Sequence, residues 1–271
     1  MPVCPEIFKF AVMRETKSLI AALLLVAMSL SPAMAQEPGR EVAFFDTGAP
    51  SKFLEPYVNI MVGASGVSQN FGSRFSSISE LNVSAGVTGA MGGGVVFGIR
   101  DFLGLGTEMN FAFNNWRMDM MVSGDATTSP ATIFLRNHYY TLNVPVYVSV
   151  RFNPARKLRW NVDGGLYFSF GLGGSQKQSI TKSYINALGQ LVTEDIDTKS
   201  GYFQDSDAFI CSSKRTDIGL HLGTSLTFSG RFSVGVRTHI GFKNMAEMSA
   251  SGIVRPSIHN VNVWGVAAWH F

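Results

Sequence analysis

The sequence predicts an all-β protein: an eight-stranded antiparallel up-and-down β-barrel that crosses a membrane. Three observations predict it. Apolar and polar residues alternate with period two over long stretches, predicted connections alternate short and long, and the polar faces gather glycine and charge while the apolar faces of the last four strands carry none. Asp217 to Lys243 contains the pattern in miniature. Ile218, Leu220, Leu222, Thr224, Leu226 and Phe228 share one face, against Asp217, Gly219, His221, Gly223, Ser225 and Thr227. After Ser229-Gly230 a second arm sets Phe232, Val234, Val236, Thr238, Ile240 and Phe242 against Arg231, Ser233, Gly235, Arg237, His239, Gly241 and Lys243. A two-residue Ser-Gly link between such arms is a hairpin. A soluble sandwich also alternates, but a charge-free face opposite a glycine-rich polar one suits lipid outside and a narrow polar filling inside.

Composition narrows the alternatives. Of 271 residues 46% are hydrophobic and 15% charged, below the ~25% charge usual in soluble domains. Twenty-eight glycines and 21 phenylalanines add the Gly/aromatic bias of a β protein. After residue 35 no apolar run reaches the ~18 residues that a membrane helix needs. A net charge of +3 is too small to point to nucleic acid. Residues 1–35 read as a signal peptide: Arg14 and Lys17 precede the apolar stretch Leu19–Leu30, and Ala33-Met34-Ala35 places cleavage before Gln36. Met13, beside the basic residues, is an alternative start. Cys4 leaves with the signal, and Cys211 reads as an incidental loop cysteine rather than an intermolecular link.

Residues 36–56, broken by Pro38, Gly39, Gly48 and Pro50, read as a loosely ordered periplasmic lead, and 57–271 as the barrel. The first strand begins near Tyr57, with Val58, Ile60, Val62 and Ala64 on one face; residues 67–88 read as a loop. The second spans about Ala90–Arg100. The third turns Leu103, Leu105, Thr107, Met109, Phe111 and Phe113 outward, and 119–131 form a loop. In the fourth, about Ile133–Phe152, Pro145 predicts a bulge or a weak pairing. The fifth places Leu158, Trp160, Val162, Gly164, Leu166, Phe168, Phe170 and Leu172 outward; the excursion 173–214 follows, with a small hairpin about Asn186–Gln190. The opening hairpin supplies the sixth and seventh. The eighth ends with Trp269 and Phe271 outward. Connections after even strands are two to five residues, those after odd strands about 12 to 42. Short periplasmic turns and long outer loops are the habit of an outer-membrane barrel, and closure leaves no unpaired edge in lipid.

On YVNIMVGASG, YTLNVPVYVSVRF, LRWNVDGGLYFSFGLGG, DIGLHLGTSL and the terminal VNVWGVAAWHF, residues 55–271 resemble the PorT-type outer-membrane β-barrel domain family of Bacteroidota. The resemblance implies a compartment, the cell outer membrane, and an architecture. It also implies that Trp269 and Phe271 form the C-terminal signal read by the outer-membrane insertion machinery. The secretion role of the family's namesake does not transfer on fold alone.

The concentrated chemistry is a set of inward residues: Glu108, Asp163, Asp217, Arg151, Arg159, Arg237, His221 and His239. Glu108, Asp163, Arg237 and His221 lie roughly six to eight residues from the nearest turn, a spacing that places them at one level. An eight-stranded barrel is just wide enough for its own side chains, and charges inside it must pair. An ion-pair plug is the favoured reading; a proton or ion path and an acid/base site are the alternatives. No histidine has Ser two positions on, which argues against the His-x-Ser chemistry of lipid-modifying barrels. Glu194-Asp195-Ile196-Asp197 and Asp205-Ser206-Asp207 lack the glycine of a calcium loop and read as solvated faces. Trp116, Tyr139, Tyr140, Trp160 and Trp269 suit interfacial girdles.

The expectation is therefore a non-enzymatic outer-membrane barrel with a plugged lumen and no catalytic, cofactor or metal residues. Its outer loops, chiefly 173–214, would meet a protein partner. A small-solute pore and an accessory barrel of a secretion system are the alternatives.

Overall fold

The structure is a computed structural model that describes residues 43–124, 129–204, 212–247 and 257–271. The predicted signal peptide with Ala33, Ala35 and Gln36 lies outside the described residues, as do Met13, Cys4, Cys211, Asp205 and Asp207. Phe44–Phe271 folds as one unit.

Period-two alternation becomes strand wherever the sequence carries it. The long strands are β1 (Leu54–Gln69), β2 (Ile78–Arg100), β3 (Leu103–Val122), β4 (Ala131–Ala155), β5 (Leu158–Ile185), β6 (Leu191–Gly201), β8 (Thr216–Phe228), β9 (Phe232–Gly241) and β11 (Ile258–His270). Between them lie the single helical turn α1 (Phe71–Arg74) and the two-residue strands β7 (Ser212–Ser213) and β10 (Ala246–Glu247). The phase follows polarity. Val58, Ile60 and Val62 are 50–67% exposed, while Tyr57, Asn59 and Met61 between them are 3–4% exposed. Turns at one end are tight: Asp101-Phe102, Arg156-Lys157, and a hairpin in which Ser229 and Gly230 take φ of 49° and 66°. Such positive φ matches the strand twist, and glycine adopts it freely.

All pairings are antiparallel, in the order β4-β3-β2-β1-β11-β9-β8-β5-β6, and β4 additionally pairs with β5. The result is an all-β, barrel-like sheet. It counts nine strands where the sequence predicts eight. The extra strand, β6, comes from the excursion 173–214 and pairs only with the far half of β5. The predicted loop 67–88 shrinks in the same way, because β1 runs to Gln69 and β2 starts at Ile78. One physical reason covers both differences. The 28 residues of β5 and 23 of β2 far exceed the ~9–11 that cross a bilayer, and beyond lipid a strand needs backbone pairing but no apolar alternation.

In those extensions polarity inverts. Trp116, Met118, Met120, Ile133 and Leu135 are buried inside, and Arg117, Arg136 and Lys177 are exposed outside. Trp116 and Tyr139, read from sequence as girdle residues, therefore point inward, at 1% and 2% exposure. Trp160, Tyr140 and Trp269 stay outward.

Pro145 causes no bulge. The β3–β4 ladder omits the pairs opposite Glu108 and Met109 and resumes in the same register at Asn110↔Asn143. The interruption fits a residue without an N–H to donate. The lead runs along the turn end: Asn153, Phe102, Asp101 and Gly98 donate backbone N–H bonds to the carbonyls of Phe44, Asp46, Gly48 and Phe53.

Candidate functional site

Inward glycines lie beside the large inward side chains, which is why the polar faces are glycine-rich. Tyr147 lies between Gly106 and Gly165 on its two flanking strands. A Cβ at Gly106 would fall 2.3 Å from the Tyr147 ring, and one at Gly94 would fall 2.6 Å from Glu108 Cγ. Glycine here vacates the volume that a narrow interior needs for a tyrosine or a carboxylate.

Glu108 is the centre of the first layer. Arg237 Nη1 donates to its Oε2 at 2.5 Å, Asn110 Nδ2 at 2.8 Å and Asn59 Nδ2 at 3.1 Å. The Tyr57 hydroxyl donates to Oε1 and lies 2.6 Å from the Tyr147 hydroxyl. Asp163 and Arg237 both stand opposite Gly223. His221 Nδ1 lies 2.9 Å from His239 Nε2; Tyr147 stacks on His221, and Tyr167 stacks on His239 at 4.3 Å between centroids. Glu108, Asp163, Arg237 and His221 thus share one neighbourhood.

Arg151 and Arg159 lie below it, at the turn end. Both meet Glu55, at 2.9 and 3.4 Å, and Arg159 lies 4.0 Å from Asp101. Sequence reasoning missed Glu55 because it fell in the lead. Extending the phase of Tyr57 and Asn59 back two residues would have found it. Asp217 stands apart from the ion pairs, accepting from the Tyr167 hydroxyl and Asn260 Nδ2, each at 2.9 Å. A cavity of about 40 Å³ at the turn end is lined by Glu55, Arg151, Asp163 and Arg237 among others, room for one or two waters.

At the loop end the filling is apolar and comes partly from connections. Phe71 of α1, Tyr202 after β6 and Met245 before β10 are buried with Trp116, Met118, Leu135, Tyr139 and Ile258. Trp116 Nε1 donates to the Tyr202 hydroxyl at 3.1 Å, and Tyr139 stacks on Tyr202 at 4.3 Å. No sequence signal marked these loop residues. Elsewhere, Asp195 of β6 accepts from Thr181 Oγ1. Trp269 and Phe271 are exposed on the outer face, with Phe271 N bonded to the Pro56 carbonyl.

Residues 51–247 match the family described as the outer membrane protein beta-barrel domain. The chain belongs to the outer membrane protein β-barrel domain family. The match covers β1 through β10 and so takes in Glu108, Arg237 and their neighbours. No curated protein matches the chain. Among solved structures, this β-barrel domain protein is similar to the N-terminal β-barrel domain of OprF from Pseudomonas aeruginosa. That likeness is at 12% identity, over 79% of this chain and 97% of that one, with a TM-score of 0.29. OprG from the same organism gives 9%, 85%, 99% and 0.34. Neisserial surface protein A gives 9%, 80%, 97% and 0.31.

Proposed function

We propose that the protein is a non-enzymatic barrel of the cell outer membrane, closed through eight strands, whose lumen is blocked by its own side chains. The PorT-type branch, which its strand motifs resemble, fits this reading. The observation that carries it is the filling at both levels. Glu108, Arg237, the histidine pair and Glu55 with its arginines occupy the turn-end half. Phe71, Tyr202 and Met245 fold in from three connections over the other. Family membership and the exposed outward Val, Ile, Leu and Phe support the outer membrane as its location. Trp269 and Phe271 serve the insertion machinery, and residues 1–35 direct export with cleavage before Gln36.

The loops meet a protein partner through the tip of the β5–β6 hairpin. There Ile185, Leu188 and Leu191 are 72–82% exposed, an apolar group that water alone does not favour. Planar-bilayer recording tests the plug: purified protein should give no steady unit current. Discrete, voltage-stable steps would replace the plugged barrel with a small-solute pore.

A further inference from the structure

We propose that the outer wall carries a site for a phosphorylated lipid headgroup of the loop-side leaflet, built from Arg117, Arg136, Lys177 and Lys199. It rests on the outer-membrane reading of this wall. The four cations are direct cross-strand partners: Arg117↔Arg136, Arg136↔Lys177 and Lys177↔Lys199. All are exposed on the outer face, in one unbroken row over β3, β4, β5 and β6. Like charges set opposite one another destabilise a sheet. Among the described residues none of the four forms a salt bridge. The row is a concentration of positive charge with no ion-pair partner among the described residues.

Its surroundings name the occupant. The nearest acids on this face, Asp119 and Asp197, lie one row further from the apolar band, aligned through Phe134 and Ser179, with Asp195 and Glu80 one row beyond them. The row on the membrane side, Asn115, His138 and Ser175, holds no acid, and below it come Phe113 and Tyr140. Arg117 lies four positions along β3 from Phe113. At ~3.3 Å per residue and the usual tilt this is ~10 Å along the membrane normal. Lys and Arg stems extend their charged groups back toward the interface. Between this row and the acid-flanked row beyond it, Phe134, Arg136, Lys177 and Ser179 line an open groove of about 190 Å³. A guanidinium, an ammonium and a hydroxyl beside an aromatic wall suit a phosphate ester attached to an apolar body.

The test uses the mature chain in nanodiscs of neutral lipid, titrated with diphosphorylated lipid A and read by native mass spectrometry. Insertion is checked first by resistance to alkaline carbonate extraction from vesicles. Arg136→Gln/Lys177→Gln should weaken retention at least about tenfold, while Arg136→Lys/Lys177→Arg should stay within about threefold. Dephosphorylated lipid A should bind the wild type as weakly as the phosphorylated form binds the glutamine variant. Inserted protein that binds equally well with and without the two cations overturns the site alone. Tripolyphosphate competing at the same concentration as the lipid overturns the lipid assignment in favour of a soluble polyanion. Protein stripped by carbonate overturns the membrane reading and this site together.

Discussion

Arg237 and Glu108 are 129 residues apart in sequence and 2.5 Å apart in space, each buried and each facing its partner across the interior rather than along one hairpin. Removing either partner leaves an unpaired charge in a narrow lumen. Glu108→Leu and Arg237→Met alone should each cost ~3–5 kcal/mol, whereas the double Glu108→Leu/Arg237→Met variant should cost less than the sum. Urea unfolding in lipid vesicles reads this, and strictly additive losses would show that the two groups are not coupled.

Gly106 makes room for Tyr147. Gly106→Ala should destabilise by ~1–3 kcal/mol through overpacking, and Tyr147→Leu in the same chain should recover most of that. A Gly106→Ala penalty unchanged by the second substitution would place the strain elsewhere.

Leu166 is 44% exposed, midway along the outward stretch of β5. In water, arginine at such a site changes stability by no more than ~0.5 kcal/mol. Facing acyl chains it costs ~2–4 kcal/mol. Leu166→Arg measured by reversible unfolding in vesicles separates the two environments, and a neutral result would falsify the lipid-facing reading of this wall.

Tyr202 ties the loop-end cap to Trp116 and Tyr139. Tyr202→Ala should cost about 3 kcal/mol and raise protease cleavage between β6 and β8. It should create no conductance, because the Glu108 layer beneath is untouched. Conductance appearing with this single change would make the cap the whole seal.

Lipid is a strict reader of sequence, and the legible parts of the fold are those it touches. Leu158 to Leu172 must alternate because every second side chain meets hydrocarbon, so phase and inward residues followed directly from the letters. The far half of β5 meets water on its outside. There Gln176, Lys177 and Gln178 pair as strand with no apolar rhythm to announce it, so the turn of the β5–β6 hairpin at Asn186–Gln190 was legible but the length of its arms, and hence the ninth strand of the sheet, was not. The interior was legible as charge but not as partnership. Arg151 and Arg159 were visible as inward cations, yet their carboxylate, Glu55, sat where Pro50 and Pro56 suggested loose chain. Phe71, Tyr202 and Met245 were illegible for another reason: isolated apolar residues in polar connections carry no period.

The wall closes where β1 meets β11, along thirteen pairings from Tyr57↔His270 to Gln69↔Ile258. These segments lie at opposite ends of the described chain. A zipper so far-reaching must be the last to shut, and contacts of this range are slow to form. Until it does, the earliest-made margin stands open to any passing strand, so the nascent sheet depends on being sheltered for the whole time that the thirteen residues of β11 take to pair.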